Sequence, residues 1–238
     1  QLRYTMAKSL AEKIKNLAEQ LEGVSVTVGS GDGSSTTAVL KKMAGEKIEI
    51  PLVIDGKEVR TGNVANCMQP QKHQHVLGQY HQGGEKEVKM AIKAAQKAKK
   101  GWAATPFEHR AAIMLKAAEL LAGRYRQTLN VATMLGQGKN PMQAEIDSAC
   151  ELIDFLRFNV HYAQQIISEQ PASSPGIWNQ LEQRPLDGFV FAVTPFNFTA
   201  IAGNLPTAPA LMGNTVVWKP ASSSVFSGHY LMQLFQEA

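Results

Sequence analysis

Residues 188–220 read GFVFAVTPFNFTAIAGNLPTAPALMGNTVVWKP, and this stretch decides the fold class. The apolar run at 189–193 is typical of a strand covered on both faces in a parallel sheet. Residues 198–212 predict a buried helix, broken or bent near its two prolines, and a second buried strand follows at 215–218. A strand, a helix and a strand in this order predict an open parallel α/β sheet with a right-handed crossover.

The carboxyl ends of these two strands are the predicted ligand site, because open parallel sheets bind ligands just beyond that edge. Thr194-Pro-Phe-Asn197 follows the first strand, and Lys219-Pro220 ends the second. The amide of Asn197 can donate two N–H groups to an oxygen that becomes negative, or it can cap its own loop. The pattern alone leaves both roles open, and for Lys219 it favours an ordinary solvated lysine.

Helical periodicity dominates the segment before these strands. Helices are predicted at 86–100, at 105–123 with a Thr105–Glu108 capping box, and around Leu129. A long helix begins at Asn140-Pro141 and runs to about residue 169, and Ser222 to Ser224 are predicted to cap a last helix. The apolar stripe of the long helix is expected in the core, and it comprises Met142, Ile146, Ala149, Ile153, Leu156, Val160 and Ala163.

The first 84 residues carry weaker signals. Residues 7–22 predict an amphipathic helix and 24–28 a short strand, and the Gly/Ser-rich stretch after them favours a linker over a phosphate-binding loop, since it lacks Gly-Lys-Ser/Thr. Residues 48–59 predict a hairpin that turns at Asp55-Gly56. Residues 66–84 read as a polar loop. A metal site there is disfavoured, because no carboxylate or thiolate completes its histidines, His73, His75 and His81.

Composition excludes several classes of protein. The 238 residues are 44% apolar and 18% charged with a net charge of +4, which excludes wholesale disorder. No window approaches the roughly 18 to 20 apolar residues of a membrane span, so no membrane partner is expected. The lysines of 86–100 lack interleaved aromatic residues, which favours a solvated helix face over nucleic-acid binding. Two cysteines form no disulfide or zinc pattern, which indicates a reducing compartment.

The same segments resemble the aldehyde dehydrogenase superfamily. TPFNF is similar to its oxyanion motif, and NLPTAPALMGNTVVWKPA to its helix, turn and lysine-bearing second strand. GQGKNPMQAEIDSACELIDFLRFN, together with PFNFTAIAGN, resembles the branch that oxidises L-glutamate γ-semialdehyde (1-pyrroline-5-carboxylate) to glutamate in proline catabolism. The resemblance implies an α/β fold in which a helical segment leads into part of a Rossmann-like sheet. It divides the chain into an unmatched extension, 1–37, and the N-terminal part of the cofactor-binding domain, 38–238.

The resemblance also implies the roles of the residues near the strand ends. Asn197 would hold the oxyanion. NAD would be bound by the residues of both strand ends: Thr194, Pro195, Phe196, Lys219 and Ser222. Ser222 stands where many NAD-preferring relatives have a carboxylate, so use of NADP is also expected. The implied partners are a small aldehyde and further copies of the chain, in the cytoplasm or, for a eukaryotic source, in the mitochondrial matrix.

Two further residues would bind the substrate. Glu151 lies on the long helix, where its i−4 and i+3 neighbours are Asp147 and Asp154. No Lys or Arg lies at helical pairing distance, so the sequence alone favours a solvated glutamate. The resemblance instead implies that Glu151 pairs with the α-ammonium group of the substrate. It likewise implies that Phe198 forms an aromatic wall beside the aliphatic chain.

The superfamily's catalytic cysteine, general-base glutamate and pyrophosphate loop would lie beyond Ala238. Neither Cys67 nor Cys150 matches the position of that nucleophile, so the 238 residues alone are expected to be inactive. Two alternatives stay open: a dehydrogenase for another semialdehyde, or a non-catalytic binding or assembly module.

Overall fold

The structure, a computed structural model, describes residues 36–238. The helix predicted at 7–22, the strand at 24–28 and most of the Gly/Ser-rich stretch lie outside the described residues. The described helices and strands have the following bounds: α1 Thr36–Gly45, β1 Ile48–Ile50, β2 Leu52–Ile54, β3 Lys57–Val59, β4 Val64–Gln69, β5 Lys72–His81, α2 Glu85–Ala104, α3 Phe107–Ala122, α4 Arg126–Gln137, α5 Pro141–Ala144, a π-helix Glu145–Cys150, α6 Glu151–Ser168, β6 Val190–Val193, α7 Thr199–Leu211, β7 Val216–Lys219, a 3₁₀ turn Ser222–Ser224 and α8 Val225–Glu237.

Strands β6 and β7 are parallel and are joined through α7, which confirms the predicted strand–helix–strand unit. Their register runs from Val190 opposite Val216 to Val193 opposite Lys219. The prediction that β6 is covered on both faces is wrong for the described residues. Ala192 is buried, but Phe191 is 61% exposed and Val193 is 52% exposed, and these two side chains share one face of the strand.

The main core lies among helices α3, α6, α7 and α8. Helix α7 approaches α6 closely because Gly203 lacks a side chain, and a Cβ added there would lie 2.7 Å from Leu152. The predicted break near Pro206 and Pro209 is absent, since α7 runs through both prolines as one helix, while a bend there stays a prediction. The buried residues of this core are Ala111, Met114, Ala117, Ala118, Leu121, Leu129, Ala149, Leu152, Ile153, Leu156, Ala163, Ala200, Ala202, Leu211, Leu231 and Leu234.

Two further sheets lie between α1 and α2: a three-stranded sheet in the order β1-β5-β4, and the two-stranded pair β2-β3. Strands β2 and β3 form the predicted hairpin, with Asp55 and Gly56 both at positive φ in the turn, but Ile48–Ile50 pairs parallel with β5 instead. The polar loop predicted at 66–84 is wrong, because β4 and β5 form an antiparallel pair through most of it. One reason is that β5 is exposed over its first residues, which hides the apolar alternation that identifies strands.

The predicted helix boundaries are close to those observed, but two predicted caps are wrong. The Thr105 hydroxyl donates to the carbonyl of Gly101, so it closes α2 and does not cap α3. Ser224, at the start of α8, donates to the carbonyl of Ala221 and makes no side-chain cap. At the long helix, by contrast, Asn140 and Gln143 form a reciprocal capping box.

The long helix is not α-helical throughout, since Glu145–Cys150 winds as a π-helix. The wider turn changes which side chains face the core: Asp147 and Ser148 are buried, whereas Met142 is 74% exposed and Ile146 is 53% exposed. The predicted core stripe is therefore wrong at its first two residues. It is right at four of the others, Ala149, Ile153, Leu156 and Ala163, while Val160 is partly buried.

Candidate functional site

The two strand ends that the sequence singled out lie side by side. The backbone N–H of Thr194 donates to the carbonyl of Lys219 at 3.2 Å. The indole N–H of Trp218 donates to the Thr194 hydroxyl at 3.0 Å, and Thr194 is buried. The loop after β6 and the end of β7 are thus fixed to each other at the carboxyl edge of the parallel pair.

The loop beyond Thr194 presents Asn197 to solvent. Pro195, Phe196 and Asn197 are exposed, and the Asn197 side chain makes no hydrogen bond with any residue of 36–238. The loop-capping alternative requires such a bond, so this geometry does not support it. Both N–H groups of the amide can instead be donated to a ligand.

The start of α7 is anchored directly after this loop. Thr199 is fully buried, and its hydroxyl lies 2.7 Å from that of Thr133. Gln137 Nε2 donates to Thr199 at 2.8 Å and to Ser227 at 3.0 Å. These bonds join α4, α7 and α8, so the backbone that follows Phe198 is held from two neighbouring helices.

A buried ion pair that the sequence pattern did not predict lies beside the loop. Lys139 Nζ pairs with the carboxylate of Asp147, which is 3% exposed. The same ammonium lies 4.2 Å from the centre of the half-buried Phe198 ring, as a cation–π contact. Lys139 follows Gly138, which ends α4 at a φ of 71° and so redirects the chain toward Asp147.

Glu151 is connected to this pair through electrostatics. Burial and the charge of Asp147 raise the pKa of Glu151, and Lys139 opposes that rise. Burial also raises the pKa of Asp147, against the effects of Lys139 and the backbone amides of Thr199 and Ala200. Glu151 is partly buried, and its carboxylate makes no hydrogen bond or ion pair with another described residue. It is therefore neither a fully solvated glutamate nor a structural partner within this part of the chain.

Lys219 and Ser222 lie on the β7 side. The Lys219 side chain is exposed and has no ion-pair partner among residues 36–238, so its ammonium can donate to a ligand. Ser222 begins the 3₁₀ turn and borders a pocket of about 270 Å³ beside β4 and α8. No hydrogen bond in the described structure joins Ser222 to the loop at 194–198.

Neither cysteine is placed as a nucleophile. Cys67 is buried in β4, where burial raises the pKa of its thiol to about 12. Cys150 is exposed, but burial of part of the residue and the charge of Glu145 raise its pKa despite the opposing effect of Arg126. A reactive cysteine requires the opposite shift, toward the thiolate.

Two of the three histidines of β5 make structural hydrogen bonds. His75 contacts Gln69 and the carbonyl of Ala44, and His81 contacts Glu49. Residues 36–238 contain no group of three or more side chains arranged to hold a metal ion. No helix in the same range is long and apolar enough to cross a membrane.

Known proteins that are similar to this chain belong to one family. Residues 58–238 match the model of the aldehyde dehydrogenase family. The chain is 50% identical over 211 residues to a probable delta-1-pyrroline-5-carboxylate dehydrogenase of Schizosaccharomyces pombe, covering 88% of the chain and 38% of that protein. It is 42% identical over 212 residues to the mitochondrial delta-1-pyrroline-5-carboxylate dehydrogenase of Homo sapiens, covering 89% and 38%.

Solved structures give the same result. Delta-pyrroline-5-carboxylate dehydrogenase from Mycobacterium tuberculosis, bound with NAD, has a TM-score of 0.83 at 50% identity, covering 85% of this chain and 38% of that one. The 1-pyrroline-5-carboxylate dehydrogenase from Thermus with bound NAD has a TM-score of 0.80 at 30% identity, covering 85% and 39%. The chain therefore spans a little more than a third of the length of these relatives.

Proposed function

Because the chain belongs to the aldehyde dehydrogenase family, we propose that it forms the cofactor-side part of an NAD(P)-dependent dehydrogenase that oxidises L-glutamate γ-semialdehyde to glutamate. One observation carries the proposal: Asn197 and Lys219, the two implied ligand-binding groups, lie on adjacent strand ends with unengaged side chains. Two relatives that are 42% and 50% identical to the chain over the aligned residues are named delta-1-pyrroline-5-carboxylate dehydrogenases, which supports the choice of substrate.

The nicotinamide cofactor fits the carboxyl edge of β6 and β7. The exposed ammonium of Lys219 can donate to ribose hydroxyls, and the hydroxyl of Ser222 is a second donor nearby in sequence. The exposed loop from Pro195 to Phe196 offers an apolar surface beside them. When bound, the cofactor supplies the hydride acceptor. Two relatives of known structure hold NAD, which supports NAD as the cofactor.

Asn197 would act on the carbonyl oxygen of the aldehyde. That oxygen gains negative charge when a nucleophile adds to the carbonyl carbon, and an amide N–H directed at it stabilises the charge. The same contact applies when water adds to the thioester that follows oxidation in this family. The anchored first turn of α7 supports this role, because it limits movement of the loop that carries the amide.

Glu151 and Phe198 would distinguish the substrate from simpler aldehydes. Glutamate γ-semialdehyde carries an α-ammonium group, which a carboxylate without a protein partner can bind. Its aliphatic chain would pack on the ring of Phe198. Lys139 connects the two, since it contacts the Phe198 ring and acts on the charge of Glu151.

The setting of the enzyme is proposed from its relatives. Those from Emericella nidulans, Dictyostelium discoideum and Homo sapiens are named as mitochondrial, which supports a mitochondrial location for a eukaryotic source. Self-association of the full enzyme belongs to the same proposal. It is supported by apolar side chains that the described residues leave uncovered, such as Phe158 and Tyr162 on α6.

The test is NADH formation by the purified full-length enzyme that contains this chain. Glutamate γ-semialdehyde is compared with succinate semialdehyde, which lacks the ammonium group, and with a simple alkanal. A kcat/KM at least about tenfold higher for glutamate γ-semialdehyde supports the proposal. A preference for another semialdehyde would move the assignment to that substrate. No NADH with any aldehyde would favour the binding or assembly module.

A further inference from the structure

We propose that Lys139 is a positioning residue: anchored by the buried carboxylate of Asp147, it fixes the ring of Phe198 and so the loop that presents Asn197. The inference rests on the proposed function, because it assigns a role to a group next to the proposed oxyanion and substrate contacts. Lys139 itself touches neither reacting atom in this assignment. It acts through Phe198.

The local structure around Asp147 costs free energy of folding, which indicates a functional role. A carboxylate that is 3% exposed must be desolvated, and a buried ion pair is commonly no more stable than apolar residues of similar volume. The π-helix that turns Asp147 inward also exposes Met142 and Ile146, two side chains that an α-helical turn would direct toward the core. Features of this kind concentrate at functional sites.

Phe198 is the element that the pair can control. Its backbone is extended, with φ −135° and ψ 117°, and its carbonyl accepts from the N–H of Ala202 at 3.1 Å. Thr199 is held by Thr133 and Gln137, so the backbone after Phe198 is already fixed. The half-buried ring has no such bond, and the ammonium of Lys139 at 4.2 Å is the contact that orients it.

A different route would also connect Lys139 to activity. Lys139 opposes the rise in the pKa of Glu151, which burial and Asp147 cause, so its loss could act through the charge of Glu151 alone. The two routes differ in what happens when Asp147 is neutralised as well. In the single Lys139 variant, the charge of Asp147 is left without its cation and acts on Glu151 unopposed. Neutralising Asp147 as well removes that charge and its effect on Glu151, but it does not return a cation to the Phe198 ring.

The experiment therefore compares Lys139→Met, Asp147→Asn and the double variant in the full-length enzyme, with kcat/KM and the thermal midpoint measured for each. Lys97→Met is the control, because Lys97 forms an exposed ion pair with Asp55 far along the chain from the site. In Lys139→Met, we expect kcat/KM to fall about tenfold or more and the thermal midpoint to drop, since a buried carboxylate is left unpaired. In the double variant, the midpoint should recover while kcat/KM stays about tenfold low.

Recovery of kcat/KM in the double variant to within about threefold of wild type would overturn the proposal, because the pair would then be structural or act only on Glu151. If Lys139→Met does not fold, Lys139→Gln keeps a hydrogen-bond donor for Asp147 without a cation over the ring. An activity of Lys139→Gln within about threefold of wild type would overturn the proposal in the same way. The kcat/KM of each variant is compared with that of wild type on whichever aldehyde the wild-type enzyme oxidises best. A wrong substrate assignment therefore does not affect the comparison.

Discussion

The carbonyl of Lys219 accepts a hydrogen bond of 3.2 Å from the backbone N–H of Thr194, one residue beyond the last register pair of the parallel strands. This bond keeps the loop after β6 against the end of β7. The group proposed for the oxyanion, Asn197, and the group proposed for the cofactor therefore share one edge. Ligands of an open parallel sheet bind along this edge, so one bound cofactor and its aldehyde can reach both groups.

Replacing Asn197 by Ala is expected to lower kcat of the full-length enzyme about a hundredfold, since loss of one oxyanion donor costs about 3 kcal/mol in the transition state. The affinity for NAD should be nearly unchanged. The measurement is a steady-state titration of aldehyde and cofactor. Asn204→Ala is the control, because Asn204 lies in α7, which follows the Asn197 loop, and its side-chain oxygen accepts a hydrogen bond from Asn159. A kcat within about threefold of wild type in Asn197→Ala would contradict the oxyanion role.

The strand–helix–strand unit was predictable because its signals are local. A short apolar run, a buried helix and a turn at Gly213 follow each other within residues 188–220, and the parallel register confirms the order. Strands β4 and β5 were not predictable in the same way, since Lys72, His73 and Gln74 give β5 a polar start. Their pairing is fixed by backbone bonds, which side-chain pattern does not report.

The candidate site was only partly predictable for a related reason. The predicted stripe assumed 3.6 residues per turn, and the π-helix at Glu145–Cys150 breaks that assumption, which is why Ile146 is exposed and Asp147 is buried. The cation for Asp147 comes from Lys139, eight residues earlier and outside the helix. A search for partners at helical spacing could not find it. The useful signal was the pair of acids around Glu151 without a cation.

The ion pair between Glu145 and Arg126 predicts that the fold loses stability in acid. Burial raises the pKa of Glu145, but hydrogen bonds from Arg126 and Asn130 outweigh it, so the pKa lies below its ordinary value. A depressed pKa in the folded state contributes stability above the unfolded pKa, near 4.3, which is lost as pH falls through the folded value. Glu145→Gln should therefore cost about 1 to 2 kcal/mol at pH 7 and much less near pH 3.

The measurement is the midpoint of urea unfolding for wild type and Glu145→Gln, at pH 7 and near pH 3. Glu119→Gln is the control, since Glu119 forms an exposed ion pair with Arg157 and should change the midpoint little at either pH. An equal loss of stability for Glu145→Gln at both pH values would contradict the electrostatic explanation and indicate a packing effect.

Ser222 predicts measurable use of NADP. A hydroxyl at this position does not repel a 2′-phosphate, whereas a carboxylate does. The ammonium of Lys219 adds a favourable electrostatic interaction of about 1 kcal/mol. Ser222→Glu should lower kcat/KM for NADP about tenfold or more while changing that for NAD little. Ser223→Glu is the control in the same 3₁₀ turn. A wild-type preference for NAD above about a thousandfold would mean that other groups set the selectivity.

Glu151→Ala tests the identity of the substrate. A hydrogen bond to a charged group contributes about 1.5 to 3 kcal/mol, or roughly 10- to 150-fold in kcat/KM, and a simple alkanal has no ammonium group to make it. The variant should therefore lose that factor toward glutamate γ-semialdehyde and keep nearly all its activity toward propanal or hexanal. Both values are measured on one preparation, so inactive protein cancels in their ratio.

Asp154→Ala is the matched control for Glu151→Ala. Asp154 is an exposed acid one turn further along α6, so both changes replace a carboxylate inside the long helix that begins at Asn140-Pro141. Each replaces an acid by Ala inside a helix and should alter helix stability by a similar amount. Only Glu151→Ala should change the ratio of the two substrates, because only Glu151 is coupled to the pair beside Phe198. A ratio unchanged within about threefold, below ~0.7 kcal/mol of discrimination, would assign Glu151 a structural or solvated role and remove the residue-level argument for this substrate.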